Sequence, residues 1–303
     1  MSLFDTLVRT TLPITPRQVV GFFARRYVAG DTLSEAVALV RRLHDQGCCA
    51  TIDVLGESVT EAEQARAVVR DYHAVIDVIG EQQLDANVSL KPTQLGLAID
   101  EGLCRDNLAT ILERAHSRGI FVRIDMEDAP TTDATLRVYR DLIRRFPGGT
   151  GVVLQARLRR TLADAATLAA ERTNVRLCKG IYLEPRAIAY EERDIIRNAY
   201  LNALRVLLRG GSYVGIATHD EWLVCEALAV LQELGVARDR YEFQMLLGVD
   251  PELRGILTKA GHRLRVYVPF GTHWYPYSVR RLRENPTIAR AGLQALLRGR
   301  LDK

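Results

Sequence analysis

The sequence predicts an α/β fold, a (βα)8 barrel of the TIM type with extra helices at its N-terminus. Three observations predict it. Short apolar runs rich in Val, Ile and Tyr alternate with Arg/Glu/Ala/Leu segments of helical period. Eight such runs occur, which suits a closed parallel barrel better than an open sheet. No linker, low-complexity tract or short repeat interrupts them, so residues 1–46 read as an N-terminal helical segment and 47–303 as one barrel.

The expected strands are residues 49–54, 88–90, 121–124, 151–154, 175–177, 213–217, 242–245 and 264–268. A helix is expected over 33–44, before the first strand. Helical stretches between the strands include 60–78, 133–146, 191–208 and 221–234, and a last helix begins near Tyr275 and carries Arg280 and Arg281.

Bulk composition fits this size and class. The chain has 303 residues, 48% hydrophobic and 26% charged, enough for a large core. The net charge of +4 is mild, and Arg is interspersed with Asp and Glu, so there is no nucleic-acid footprint. Lysine occurs only at Lys91, Lys179, Lys259 and Lys303, which makes each one more informative. Cys48, Cys49, Cys104, Cys178 and Cys225 are odd in number and lack CxxC spacing. Neither a disulfide framework nor a structural zinc site is expected, and a reducing, cytoplasmic compartment fits. Met1 to Thr10 has no apolar leader pattern, and no apolar run approaches the ~18 residues of a membrane span. Peripheral contact with the inner face of a membrane remains open.

Barrel active sites lie at the C-terminal ends of the strands. Those ends read Asp53-Val-Leu-Gly-Glu57, Lys91-Pro, Asp125-Met-Glu-Asp128, Gln155-Ala-Arg157, Arg176-Leu-Cys-Lys179-Gly180 with Tyr182, and Thr218-His219-Asp220. Strand seven contains Gln244 and strand eight Tyr267. A structural barrel would rarely gather so many charges at one mouth, because an unpaired buried charge costs several kcal/mol, on the order of 3–5.

Singly, each feature has a plainer reading. Asp125 beside Arg123 reads most simply as a strand-end ion pair. Thr-His-Asp resembles a metal or triad fragment, but no second His stands at ligand spacing, so no metal is expected. Gly210-Gly211 precedes a strand and reads as a helix stop. Arg280 and Arg281 point about 100° apart on a helix. They can share an anion if they sit near a helix N-terminus at the mouth, where the dipole also favours a carboxylate.

The run Tyr267-Val-Pro-Phe-Gly-Thr-His-Trp-Tyr-Pro-Tyr-Ser-Val-Arg280-Arg281-Leu-Arg-Glu284-Asn285-Pro resembles the C-terminal signature of proline dehydrogenases. Further matching segments follow the family's order and spacing. They are Asp53-Val-Leu-Gly-Glu57, Ser89-Leu-Lys91-Pro, Arg123-Ile-Asp125-Met-Glu, Gln155, Arg176-Leu-Cys-Lys179-Gly, Ala217-Thr-His219 and Phe243-Gln-Met-Leu-Leu-Gly248. The length is similar to that of the stand-alone bacterial enzymes, without the aldehyde dehydrogenase domain of proline utilisation A. Phe270 and Cys178 depart from the commoner Tyr and Val.

The resemblance implies non-covalent FAD and oxidation of L-proline to 1-pyrroline-5-carboxylate, the first step of proline catabolism to glutamate. A quinone at the membrane surface is the implied electron acceptor, and a separate pyrroline-5-carboxylate dehydrogenase a further implied partner. It implies that Lys91, Arg280 and Arg281 hold the substrate carboxylate, and that Tyr267 packs on the proline ring with Asp125 helping to orient it. Arg176 is expected to reach flavin N5. Met126, Gln155, Cys178, Lys179, Gly180, Tyr182, Thr218 and His219 are expected around the flavin. Glu284 supports the adjacent arginines and is counted with the cofactor positions. Glu57 is expected to close over the substrate by pairing with Arg281. Its plain alternative is a solvated loop residue ahead of a Thr60/Glu63 capping box. The sequence names no base for the amine proton; solvent can serve.

Related barrel flavoenzymes remain as alternatives. Tyr267 disfavours a hydroxyproline dehydrogenase by crowding a ring hydroxyl, and the paired arginines disfavour a methylenetetrahydrofolate reductase. A catalytically silent barrel scaffold is the reading from another class. It is disfavoured by intact Lys91, Asp125, Arg176, Tyr267, Arg280 and Arg281.

Overall fold

The computed structural model describes residues 20, 21, 24, 26–56 and 58–284, with residues 280–284 described by backbone alone. The order begins with helix α1 (Leu33–Asp45), strand β1 (Cys49–Val54), α2 (Ala62–Glu81), β2 (Ala86–Leu90), α3 (Glu101–His116) and β3 (Val122–Ile124). It continues with α4 (Thr132–Ile143), β4 (Thr150–Gln155), α5 (Thr161–Ala170), β5 (Val175–Cys178), α6 (Arg193–Arg209) and β6 (Val214–Ala217). It ends with α7 (Glu221–Glu233), β7 (Tyr241–Leu246), α8 (Pro251–Lys259), β8 (Leu264–Phe270) and α9 (Trp274–Glu284). The strands are all parallel, each paired with its sequence neighbours, and β1 pairs with β8 to close the barrel. Every expected strand is present, with ends shifted by at most two residues.

The strands obey a period of two with an unusual result. Outward residues are aliphatic or aromatic and fully buried under the helices, for example Ile52, Val88, Leu90, Val122, Ile124, Val152, Leu177, Ile216, Phe243 and Val266. The hydrophobic core is therefore the shell between barrel and helices. Barrel interiors of this class are usually filled by branched aliphatic side chains. Here the inward residues, Val153 apart, are largely polar: Thr51, Asp53, Asn87, Ser89, Arg123, Gln155, Arg176, Glu242, Gln244 and Arg265 are all buried. Two inward glycines give this column its room. A Cβ at Gly151 would lie 2.6 Å from Arg123 Nη1, and one at Gly215 would lie 2.5 Å from Gln244 Nε2.

Helix starts separate two similar sequence patterns. Thr32 and Glu35 form a capping box at α1. The Thr60/Glu63 box does not form: the N-cap of α2 is Glu61 and makes no side-chain cap bond. Glu63 turns instead to Arg66 at 2.9 Å and Arg70 at 3.3 Å. Gly210 and Gly211 end α6, Gly211 with φ +80°, as a helix stop requires.

A second apolar cluster lies beside the end of β8. Val20, Tyr27, Val28, Leu55 and Tyr277 are buried together, with Trp274, Tyr275, Val249 and Val279 packed against them. The chain before α1 is tied to β8 by Ala29 N–H to Pro269 O at 2.8 Å and Gly271 N–H to Gly30 O at 2.9 Å. This cluster seats α9 over the barrel.

Candidate active site

The strand-end charges are brought together in an ordered network. Asp125, one residue beyond β3, accepts from Arg176 Nη1 on one oxygen at 2.7 Å and from the Tyr267 hydroxyl on the other at 3.0 Å. Ser89 Oγ donates to the first of these oxygens at 2.7 Å and accepts from Arg176 Nη1 at 3.1 Å. Arg176 Nε donates to Gln244 Oε1 at 2.6 Å. Four strand ends thus converge on one guanidinium. Its Nη2 bonds to nothing among the described residues.

The expected Arg123–Asp125 ion pair is not formed. The two share the lumen but sit at different heights. Arg123 Nη1 donates to the carbonyls of Val152 and Asn174 at 2.9 and 2.8 Å, deeper in the barrel. Asp125 is paired with Arg176 instead.

Beside this network, Lys91 Nζ donates to both oxygens of Asp53 at 2.8 and 2.9 Å. Burial raises the Asp53 pKa, with Lys91 opposing. Burial alone would lower Lys91, but Asp53 and Asp125 more than offset it and raise its pKa, so it stays a cation. The Tyr72 hydroxyl, buried under α2, donates to Ser89 O at 2.8 Å and keeps β1 and β2 in register at this point.

The far side of the mouth holds the expected cofactor positions. Gln155 Nε2 donates to Glu127 O at 2.7 Å, next to the buried Met126. Past β5, Ala156 N–H bonds Cys178 O at 2.8 Å and Arg157 N–H bonds Lys179 O at 2.9 Å, prolonging the ladder with β4. Arg157 Nη1 also donates to Tyr182 O at 2.5 Å. Gly180 has φ +95°, and a Cβ there would stand 3.0 Å from both Gln155 and Arg157. Lys179 Nζ reaches Asp220 at 3.0 Å. Burial pushes Asp220 up, but hydrogen bonds from Arg197 and Lys179 hold it at about 2. Thr218 Oγ1 accepts from Asp220 N–H at 3.1 Å. His219 Nε2 accepts from Leu246 N–H at 2.7 Å, which leaves its ring proton on Nδ1. Among the described residues no cluster of His, Cys, Asp or Glu could hold a metal ion.

Some expected positions lie elsewhere. Glu57 and the side chains of Arg280, Arg281 and Glu284 fall outside the described residues. The backbone does correct one argument: α9 begins at Trp274, so Arg280 and Arg281 stand two turns in. The helix dipole falls off within its first turn and adds nothing for an anion held there. The cleft between α5 and α6, lined by Leu158, Leu162, Tyr190 and Ile195, is on the outer face of the barrel and contains none of these residues.

Sequence reasoning passed over Glu242 and Arg265, which lie below Gln244 and Tyr267. The period of two was the available signal: a residue two before an inward one also faces inward.

Comparison with known proteins adds a family. The model described as proline dehydrogenase matches residues 36–291. Proline dehydrogenase 1 of Bacillus subtilis (strain 168) is 38% identical over 275 residues, 91% of each chain. The proline dehydrogenase of Deinococcus radiodurans is 34% identical over 287 residues, 93% of each chain. Among solved structures, proline utilization A from Bdellovibrio bacteriovorus, inactivated by N-propargylglycine, has a TM-score of 0.81 at 23% identity. That likeness is one of fold, over 87% of this chain and 32% of that larger one. With a family model over most of its length and full-length relatives at this identity, the chain belongs to the proline dehydrogenase family.

Proposed function

We infer that the protein is an FAD-dependent L-proline dehydrogenase, forming 1-pyrroline-5-carboxylate and passing the electrons to a quinone. The observation that carries this reading is the Asp125 carboxylate bound on opposite oxygens by Arg176 and Tyr267 at the mouth of a barrel of this family. Residues 47–303 form the catalytic barrel in this reading, preceded by the segment 1–46.

The residues fit a bound flavin. Gly180 leaves backbone open where a side chain would crowd Gln155 and Arg157, and Arg157 Nε is a buried donor with no partner among the described residues. Arg176 and Lys179 supply positive charge, which suits the electron-rich reduced ring. Met126, Gln155, Cys178 to Gly180, Tyr182, Thr218 and His219 would hold the group, with Glu284 beyond them. When bound, the flavin supplies the acceptor for hydride from the carbon next to the proline nitrogen.

The chain's own work is positioning. Lys91, Arg280 and Arg281 clamp the carboxylate, Tyr267 packs on the ring, and Asp125 fixes the tyrosine hydroxyl. Good orientation of this kind contributes as much as ~7–11 kcal/mol. Asp53 is bound to Lys91 and Asp125 to Arg176; solvent can take the amine proton. The product passes to a separate pyrroline-5-carboxylate dehydrogenase. No helix among the described residues is long and apolar enough to cross a membrane. In this reading the protein is cytoplasmic and meets the quinone at the inner face of the membrane.

The test is proline-dependent reduction of a quinone analogue, compared with hydroxyproline and with NAD as acceptor. The purified protein should be yellow and release FAD in acid. A colourless protein that FAD cannot reconstitute would overturn the reading.

A further inference from the structure

We propose that Glu242 is a positioning residue for Arg176, acting through the side-chain amide of Gln244. The proposal rests on the reading that Arg176 faces the flavin. Gln244 lies between two charged groups. Its Oε1 accepts from Arg176 Nε at 2.6 Å, and its Nε2 donates to Glu242 Oε1 at 2.6 Å. An ionised carboxylate only accepts, so the NH2 end of the amide must face Glu242 and the carbonyl end must face Arg176. The opposite flip would set oxygen against carboxylate and NH2 against N–H, replacing two hydrogen bonds by two repulsions.

Glu242 is itself held from several sides. Arg265 donates through Nε to Oε1 at 2.7 Å and through Nη2 to Oε2 at 3.1 Å. Arg263 Nε and the Tyr213 hydroxyl reach Oε2 at 3.3 and 3.1 Å. Arg265 is tied in turn to Ala50 O at 2.7 Å. Orientation is thus passed from the interior of β8 to β7, and from β7 to the guanidinium on β5. With Nε on Gln244 and Nη1 on Asp125 and Ser89, the plane of Arg176 is fixed and Nη2 is directed to the ligand side.

Gly215 gives an independent handle. It pairs with Glu242 in the β6–β7 register, two residues before Gln244 on the same inward face, and needs no positive φ. Alanine there suits the backbone, but its methyl would come within 2.5 Å of Gln244 Nε2. It should displace the amide while leaving Glu242 and Arg265 chemically intact.

The experiment uses the full-length holoprotein and four variants: Gln244→Met, Gly215→Ala, Glu242→Gln and, as reference, Arg176→Met. Flavin midpoint potential, flavin content, thermal melting, and kcat and KM for proline are measured on each. Gln244→Met and Gly215→Ala should lower kcat by about tenfold, the effect of one lost orienting bond, with KM within about twofold. Both should make the flavin harder to reduce, in the direction that Arg176→Met does. Glu242→Gln should do the same where it folds; the other two variants keep the Glu242–Arg265 pair and carry the test if it does not. Wild-type potential and kcat in Gln244→Met and Gly215→Ala, beside a shifted Arg176→Met, would overturn the relay and leave the flavin reading standing. An unshifted potential in Arg176→Met would remove the flavin reading of that residue, and the relay with it.

Discussion

The Lys91 ammonium rests 2.8 and 2.9 Å from the two oxygens of Asp53, a carboxylate with no exposed surface. A pair buried this deeply is costly to halve, because the remaining charge keeps its desolvation penalty and loses its partner. Asp53→Ala should therefore reduce stability by about 3–5 kcal/mol, read by urea denaturation. The double variant Asp53→Leu with Lys91→Met should recover most of that loss. A cost below about 1 kcal/mol in Asp53→Ala would mean that Lys91 readily finds another counter-charge.

The same pairing bears on substrate binding. If the substrate carboxylate comes to Lys91, as proposed, it meets a cation already offset by Asp53, and the clamp then needs further positive charge. Arg280 and Arg281 are the residues that family likeness supplies, on α9. Arg280→Met or Arg281→Met should raise KM for proline by about tenfold to a hundredfold, the effect of losing a charge-assisted bond. Flavin content should stay near wild type. If neither substitution moves KM, the carboxylate lies elsewhere in the mouth.

Closure by Glu57 is a separate matter. If Glu57 pairs with Arg281 over bound proline, the loop after β1 excludes water as substrate enters. Glu57→Ala should then weaken proline binding and slow flavin reduction in rapid mixing, with a normal oxidised spectrum. Unchanged rate and affinity would leave Glu57 an ordinary loop carboxylate.

What could be read in the sequence follows from how far apart the interacting groups are. Strand positions are legible because the outer face of each strand is apolar, as in Val266 and Val268 or Ile52 and Val54. The inward polar residues are legible as a set for the same reason. Their pairings are not. Asp125 stands two residues from Arg123, yet its partner Arg176 is 51 residues away. That choice depends on height within the barrel, which no local pattern encodes. Capping is ambiguous for a related reason. Thr32 and Thr60 each precede a glutamate by three residues, but Glu63 has Arg66 and Arg70 within reach and takes them instead.

Glu242 makes stability depend on acid in a defined way. Its carboxyl is 3% exposed and held at about 2, against an ordinary 4.5. Burial pushes it up; Arg265 first, then the hydrogen bond from Gln244 and the charge of Arg263, more than offset this. The folded protein thus keeps the carboxylate charged where the unfolded chain would take up a proton. The contribution is fully present above the unfolded value and is lost as pH falls from there toward the folded one. The full gap corresponds to about 3 kcal/mol, of which about 2 kcal/mol is lost by about pH 3. Urea denaturation of wild type and Glu242→Gln should be compared at pH 7 and at about pH 3. The variant should start less stable, because Arg265 loses its counter-charge, and should then lose about 2 kcal/mol less than wild type on acidification. Equal losses in the two proteins would mean that Glu242 titrates in the native state as it does in the unfolded chain, and that Arg265 does not hold it charged.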